Sequence, residues 1–283
     1  MSICYVSTFL DIGRSFWNNK FVRSVYTYLN CFKPFVKLFP KEGKEKMIVF
    51  IDEKHSKEFK EIISNSNIHA IEINMDFMSK NIPVWKSLNR EREIMNSQEY
   101  KTKFANRLTF PENTIPEYTL INHAKIDFVN LAMDLEKQYE YFCWVDFGYF
   151  QNESNIPTNL LDLNKLNLNK VNYQLLNPIT EEDKNIMYTM IHAPERIGGF
   201  FFFGNRKTLK EYQNLYHSIL EEFQNNNLAD DDQHIVLRCF FKNPSLFHLH
   251  YNPKWHNILI DFQRDFQKDF QKDFQRDFQK NEK

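Results

Sequence analysis

The segment Tyr141–Phe150, YFCWVDFGYF, constrains the fold more than any other. Phe142, Cys143, Trp144 and Val145 form an apolar run that reads as a buried strand at 141–146. The run stops at Asp146, and Gly148 follows two residues later. In a parallel α/β sheet, ligands bind beyond the carboxyl ends of the strands, where side chains leave the core. A carboxylate placed there beside a glycine suits a divalent metal on a diphosphate. A turn-capping aspartate is the competing reading.

The rest of the chain supplies a sheet for that strand. Ile3–Phe9 reads as a strand ending in the turn-like residues 11–14, and Met47–Ile51 and Ile68–Ile73 read as two more. Between them, Phe21, Val25, Tyr28, Leu29 and Phe32 recur at helical spacing, and 57–64 reads as a helix. This alternation argues for a mostly parallel central sheet flanked by helices, an α/β fold. Further helices are expected at 84–97, 118–139, 206–224 and 231–241, and strands at 197–204 and 246–250. Residues 105–116 read as a loop, and 151–183, rich in Asn and Leu, as an irregular insertion.

The domain is expected to end near residue 260. Residues 261–280 are five tandem tetrapeptides, DFQR-DFQK-DFQK-DFQR-DFQK. In a helix a step of four residues turns by about 40°, so the five Phe would form a slowly winding stripe. The tail at 261–283 is therefore read as a repeat helix for self-association or peripheral membrane contact, or as a low-complexity disordered segment.

Charge excludes some partners. With 36 Lys and Arg against 37 Asp and Glu, nothing favours nucleic acid. The four cysteines are far apart and lack CxxC spacing, as in a reducing compartment. The first residues lack a basic region followed by a long apolar one. A cytoplasmic chain is expected, with peripheral contact at the inner face of the membrane left open. P-loop, dinucleotide and nucleophile-elbow motifs do not occur.

Several other residues could carry chemistry. Asp11 and Arg14 follow the first strand, where Arg suits a diphosphate. Asp52, after the second, could bond a ribose or a base. Gly198 and Gly199 could let a sugar lie against the backbone. Asp230, Asp231 and Asp232 precede Gln233 and a helix; one acid caps that helix, and a spare one could be a general base. His248, His250 and His256 cluster near Trp255, and His248 or His250 could ligate a metal.

Four motifs in order, TFLDIGR at 8–14, WVDFGY at 144–149, IGGFFFFG at 197–204 and DDQ at 231–233, resemble the HtrL/YibB (WlaTC-like) family of probable bacterial glycosyltransferases. The resemblance covers about 3–260 and implies a GT-A-like fold, with a nucleotide-sugar site on the N-terminal half and an acceptor site on the C-terminal half. It implies transfer of a sugar from a nucleoside-diphosphate sugar to a glycan or lipid-linked glycan acceptor in lipopolysaccharide, lipooligosaccharide or capsule. Donor contacts would then come from Thr8, Asp11, Arg14, Asp52, Lys125, Asp146 and Gly148, and acceptor contacts from Gly198, Gly199, Gln233 and Trp255. Asp231 or Asp232 would be the catalytic carboxylate. Asp146 would bind Mn²⁺ or Mg²⁺, but the second acid of Asp-x-Asp is missing, and His250 is the residue expected to complete the ligand set. A nucleotidyltransferase, a nucleotide-sugar hydrolase and a non-catalytic nucleotide-sugar-binding protein remain open.

Overall fold

In a computed structural model, residues 2–17 and 20–264 are described. A seven-stranded sheet is built from β1 (Ile3–Phe9), β2 (Lys46–Asp52), β3 (Ile68–Ile73), β4 (Tyr141–Val145), β5 (Val171–Leu175), β6 (Phe201–Asn205) and β7 (Phe247–Tyr251). Their order is β3-β2-β1-β4-β6-β5-β7. Every neighbouring pair is parallel except β4–β6 and β5–β6, so β6 alone runs against the others. This is the mostly parallel α/β sheet expected from the apolar runs.

Side chains alternate across the strands, as a pleated backbone requires. Cys4, Val6, Ile48, Phe50, Phe142 and Trp144 face one helical layer, and Ile3, Tyr5, Met47, Val49, Cys143 and Val145 face the other. The second layer holds α1 (Val25–Leu38) and α2 (Ser56–Ile63). The first includes α3 (Met75–Asn81), α4 (Leu88–Asn96), α5 (Gln98–Lys103), α6 (Pro116–His123), α7 (Lys125–Leu135), α8 (Ile186–His192), α9 (Arg206–Asn225) and α10 (Asp232–Lys242). A last short helix, α11 (Ile258–Asp261), returns to the α1 side, where Ile258 and Leu259 are buried.

Three expectations change. The helix expected at 118–139 breaks at Ala124 into α6 and α7, and the break brings Lys125 to the start of a helix. The strand expected at 197–204 begins only at Phe201; Ile197 makes an isolated bridge to Leu175, and the residues between form a turn. The expected irregular insertion contains a strand, β5. Its polar residues Asn172 and Gln174 disguise it, but both are buried. Asn172 ties down the turn at 167–170, and Gln174 Nε2 donates to the carbonyls of Asn252 and Lys254.

The tail expectation can be followed only for its first unit, because residues 265–283 lie outside the described residues. Among those described, no helix is long and apolar enough to cross a membrane.

The α1 layer is held by aromatic packing. Phe32, fully buried, stacks on Phe147 at 4.5 Å and meets Phe59 edge-on at 4.9 Å. Phe147 follows Asp146 directly, so the α1 layer holds the loop after β4 in place. Phe32→Ala should lower the unfolding free energy by about 3–5 kcal/mol, as large-to-small core changes do. Urea denaturation of the variant measures this.

Candidate functional site

β2 and β3 lie on one side of β1, and β4, β6, β5 and β7 lie on the other. The sheet order therefore reverses between β1 and β4, the place where such sheets leave a crevice beyond their carboxyl ends. A cleft of about 310 Å³ opens there, lined by Asp11, Arg14 and Arg23 on the β1 side and by Lys125, Asp146, Asp231, Asp232 and His256 on the other. Thr8, Gly148, Gly199, Gln233 and Trp255 also line it.

Lys125 is the centre of this arrangement. It is buried, and its Nζ donates to Asp232 Oδ2 at 2.8 Å and to the Gly199 carbonyl at 2.9 Å, and lies 3.2 Å from Asp146 Oδ1. Burial alone would lower the pKa of its ammonium, but Asp146 and Asp232 raise it above that of an ordinary lysine, so it stays charged. Trp144 Nε1 donates to Asp146 Oδ1 at 2.8 Å and fixes that carboxylate in place.

Gly199 is explained by this triad. A β-carbon there would stand 2.3 Å from Asp232 Oδ2, closer than real atoms approach. The glycine makes room for the carboxylate, so the open backbone serves Asp232 where a sugar contact was expected. Gly198 does not line the cleft; its N–H donates to the Gln174 carbonyl. Gly148 lies against Tyr28, whose ring would be 3.2 Å from an added β-carbon.

The three acids before α10 divide their work. Asp231 caps the helix, its Oδ1 accepting from the N–H groups of Gln233 and His234 at 3.1 and 3.3 Å. Asp230 is buried, and its Oδ2 lies 2.7 Å from His234 Nδ1. Asp232 faces Lys125. Burial, with Asp230 and Asp232 close by, pushes Asp231 up to about 7 against the opposing pull of His234. Burial would lower the pKa of His234, but Asp230 and Asp231 raise it to about 9. Asp230, Asp231 and His234 also form a cluster with metal-ligand spacing, although Nδ1 of the histidine is already committed to Asp230.

Arg14 is held by the cleft wall. Its Nε donates to the Phe21 carbonyl and its Nη1 to Tyr28 Oη at 2.6 Å, and its guanidinium lies over the rings of Trp17 and Tyr118. Asp11 Oδ1 accepts from Gly13 N–H, and Oδ2 meets His55 at 3.1 Å. Thr8 donates to the Phe50 carbonyl.

Two further expected residues, besides Gly198, lie away from the cleft. Asp52 is buried, and its carboxylate oxygens accept from the N–H groups of Asp11 and Lys54, so it shapes the β1 loop and does not line the cleft. His250 sits on edge strand β7 beside Asp261. Three strand spacings, roughly 14 Å, separate β7 from β4, so His250 does not complete a ligand set with Asp146. His256 lines the cleft instead. It adopts φ 60° and packs on Phe200 and Tyr149, and burial lowers its pKa despite Asp146, leaving a neutral imidazole. Sequence reasoning also passed over Arg23, which has no motif around it. For His256, the neighbouring Trp255 was the available signal.

Two predictions follow from this geometry. Lys125→Met leaves two carboxylates facing each other without their cation and should cost about 3–5 kcal/mol of stability, read by denaturant titration. For His234 the folded pKa is raised, so its stabilising contribution is complete below pH 6.5 and is lost as pH rises through about 9. Melting temperatures recorded from pH 6 to 9.5 should fall across that window, and His234→Asn should flatten the fall.

The fold is similar to two solved structures. One is a glycosyltransferase involved in the glycosylation of the major capsid of PBCV-1, at 12% identity and TM-score 0.40, covering 89% of this chain and 82% of that one. The other is mouse xyloside xylosyltransferase 1 in its apo form, at 9% identity and TM-score 0.43, covering 88% and 85%. In sequence, the chain is 26% identical to Protein HtrL of Escherichia coli (strain K12) over 278 residues, 93% of each chain. Residues 1–264 match the family described as "Bacterial protein of unknown function (HtrL_YibB)", and the chain belongs to that family.

Proposed function

We propose that the cleft is the active site of a GT-A-like glycosyltransferase that moves a sugar from a nucleoside-diphosphate sugar to a surface glycan acceptor. The observation that carries this reading is the meeting of three cations, Arg14, Arg23 and Lys125, with Asp146, Asp231 and Asp232 at the reversal point of the sheet. A nucleoside diphosphate needs positive charge around its phosphates, and glycosyl transfer needs that charge to persist as the diphosphate leaves. The acceptor class, a lipopolysaccharide, lipooligosaccharide or capsule glycan, rests on the motif resemblance.

In this reading Arg14, Arg23 and Lys125 bind the diphosphate, and the wall formed by Thr8, Asp11 and Gly148 borders the donor. Asp231 is the general base that takes the acceptor hydroxyl proton, because a carboxylate with a pKa near 7 is poised for that transfer at neutral pH. Asp232 holds Lys125 in place, and Gln233 and Trp255 border the acceptor.

A divalent cation fits the donor set. The oxygen of Asp146 that bonds neither Trp144 nor Lys125 and the neutral imidazole of His256 both line the cleft, an oxygen and a nitrogen donor that would hold a divalent cation. When bound, such an ion would add positive charge beside the leaving diphosphate.

A thermal-shift panel of nucleotide sugars, with and without Mn²⁺ or Mg²⁺, tests the donor class, since a ligand that binds only the folded state raises the melting temperature. At least one nucleoside-diphosphate sugar should stabilise the protein; no shift with any of them rejects the reading. Asp146→Asn keeps the oxygen that accepts from Trp144 but removes one of the two charges that pair Lys125, so it should melt below the parent yet stay folded at the assay temperature, while donor turnover falls at least about 100-fold. Turnover against pH should rise through about pH 7 as Asp231 loses its proton, and Asp231→Asn should remove that rise.

A further inference from the structure

The first tetrapeptide of the C-terminal repeat is recognised residue by residue. Asp261 Oδ2 accepts from Asn252 Nδ2 at 2.6 Å and lies 3.2 Å from His250 Nε2. Phe262 is buried, with its ring 4.5 Å from that of His250. Gln263 Oε1 accepts from both the N–H and the hydroxyl of Thr158, at 2.8 and 3.0 Å. Arg264 pairs with Glu45.

The backbone is read as well. Asp162 N–H donates to the Phe262 carbonyl at 2.6 Å, Arg264 N–H donates to the Leu160 carbonyl at 2.9 Å, and Leu161 pairs antiparallel with Gln263. The segment leaves helix α11 at Asp261 and makes one isolated antiparallel bridge: main-chain bonds supply affinity, and pockets for the side chains supply specificity.

The sequence then offers the same ligand four more times, DFQK at 265–268 and 269–272, DFQR at 273–276 and DFQK at 277–280. Each copy has the acid, the Phe, the Gln and a base in the same order, so each carries every group that seats residues 261–264. We propose that the groove between Glu45, Thr158–Asp162 and His250–Asn252 is a receptor for the tetrapeptide Asp-Phe-Gln-Arg/Lys. Its occupant is the chain's own repeat segment, and the later copies at 265–280 replace the first in steps of four residues. The residues skipped in each exchange are looped out, at an entropic cost that grows slowly with loop length. A repeat that keeps its four-residue period thus gives one groove several equivalent occupants.

The test uses the full chain in four forms: the parent, Phe262→Ala, a variant with Phe266, Phe270, Phe274 and Phe278 all changed to Ala, and the combination of all five changes. Phe262→Ala alone should lower the melting temperature only slightly, because a later Phe takes the vacated pocket. The four-alanine variant should melt like the parent, because Phe262 still fills the groove. All five changes together should lower it by roughly 6 °C or more, the effect of an emptied Phe pocket. An equal fall for Phe262→Ala with and without the later Phe would overturn exchange, as would a fall in the four-alanine variant as large as that of the combination. If the melting temperature of Phe262→Ala rises with protein concentration, the replacement comes from a second copy and the intrachain assignment fails.

Discussion

The structure depends on one buried ammonium. Lys125 links α7, the loop after β4, the turn before β6 and the first residue of α10, by way of Asp146, the Gly199 carbonyl and Asp232. β4 and β6 already lie side by side in the sheet and α7 packs on β4, so the lysine joins segments that the sheet brings near one another. Charges held this deep are costly, and what offsets the cost is mutual: the cation needs both acids, and each acid needs the cation. Removing any member leaves an unpaired buried charge.

Behind the triad a second polar layer holds the loop that leads into α10. Tyr100 Oη donates to the Ala229 carbonyl and accepts from Asn113, and Arg107 contacts Asn113 and Glu112. Asp230 and His234 pair one residue further along. Asp231 is thus presented by a rigid support and capped by its own helix, which leaves its second oxygen for other partners. In the function proposed, this support would hold Asp231 oriented before an acceptor arrives.

The sequence revealed what is local and missed what is tertiary. β1 and β3 were legible to the residue, because short apolar runs flanked by polar residues have few other readings. Asp146 was legible because a buried strand must release its chain somewhere, and that place is the ligand edge of such a sheet. β5 was not, since Asn172 and Gln174 look like loop residues until the carbonyls they serve are known. The pairing of Asp232 with Gly199 was hidden for the same reason. A glycine dipeptide signals room, and only the folded chain shows that a carboxylate fills it. His250 was favoured over His256 because a strand gives it a defined face; β7 carries it to the far edge of the sheet, while His256, with positive φ, lines the cleft.

The register of β1 has a consequence for how the molecule is assembled. β1 lies between β2, close in sequence, and β4, which is separated from it by seven helices. The β1–β2–β3 unit can form early from local crossovers, yet one side of its first strand then has no partner until β4 arrives. An unpaired, largely apolar strand edge is a template for other chains, and slow long-range pairing prolongs that exposure. A sheet that lacks β4 would therefore expose one edge of β1 to other chains. The strand that ends the hazard is the one that brings in Asp146.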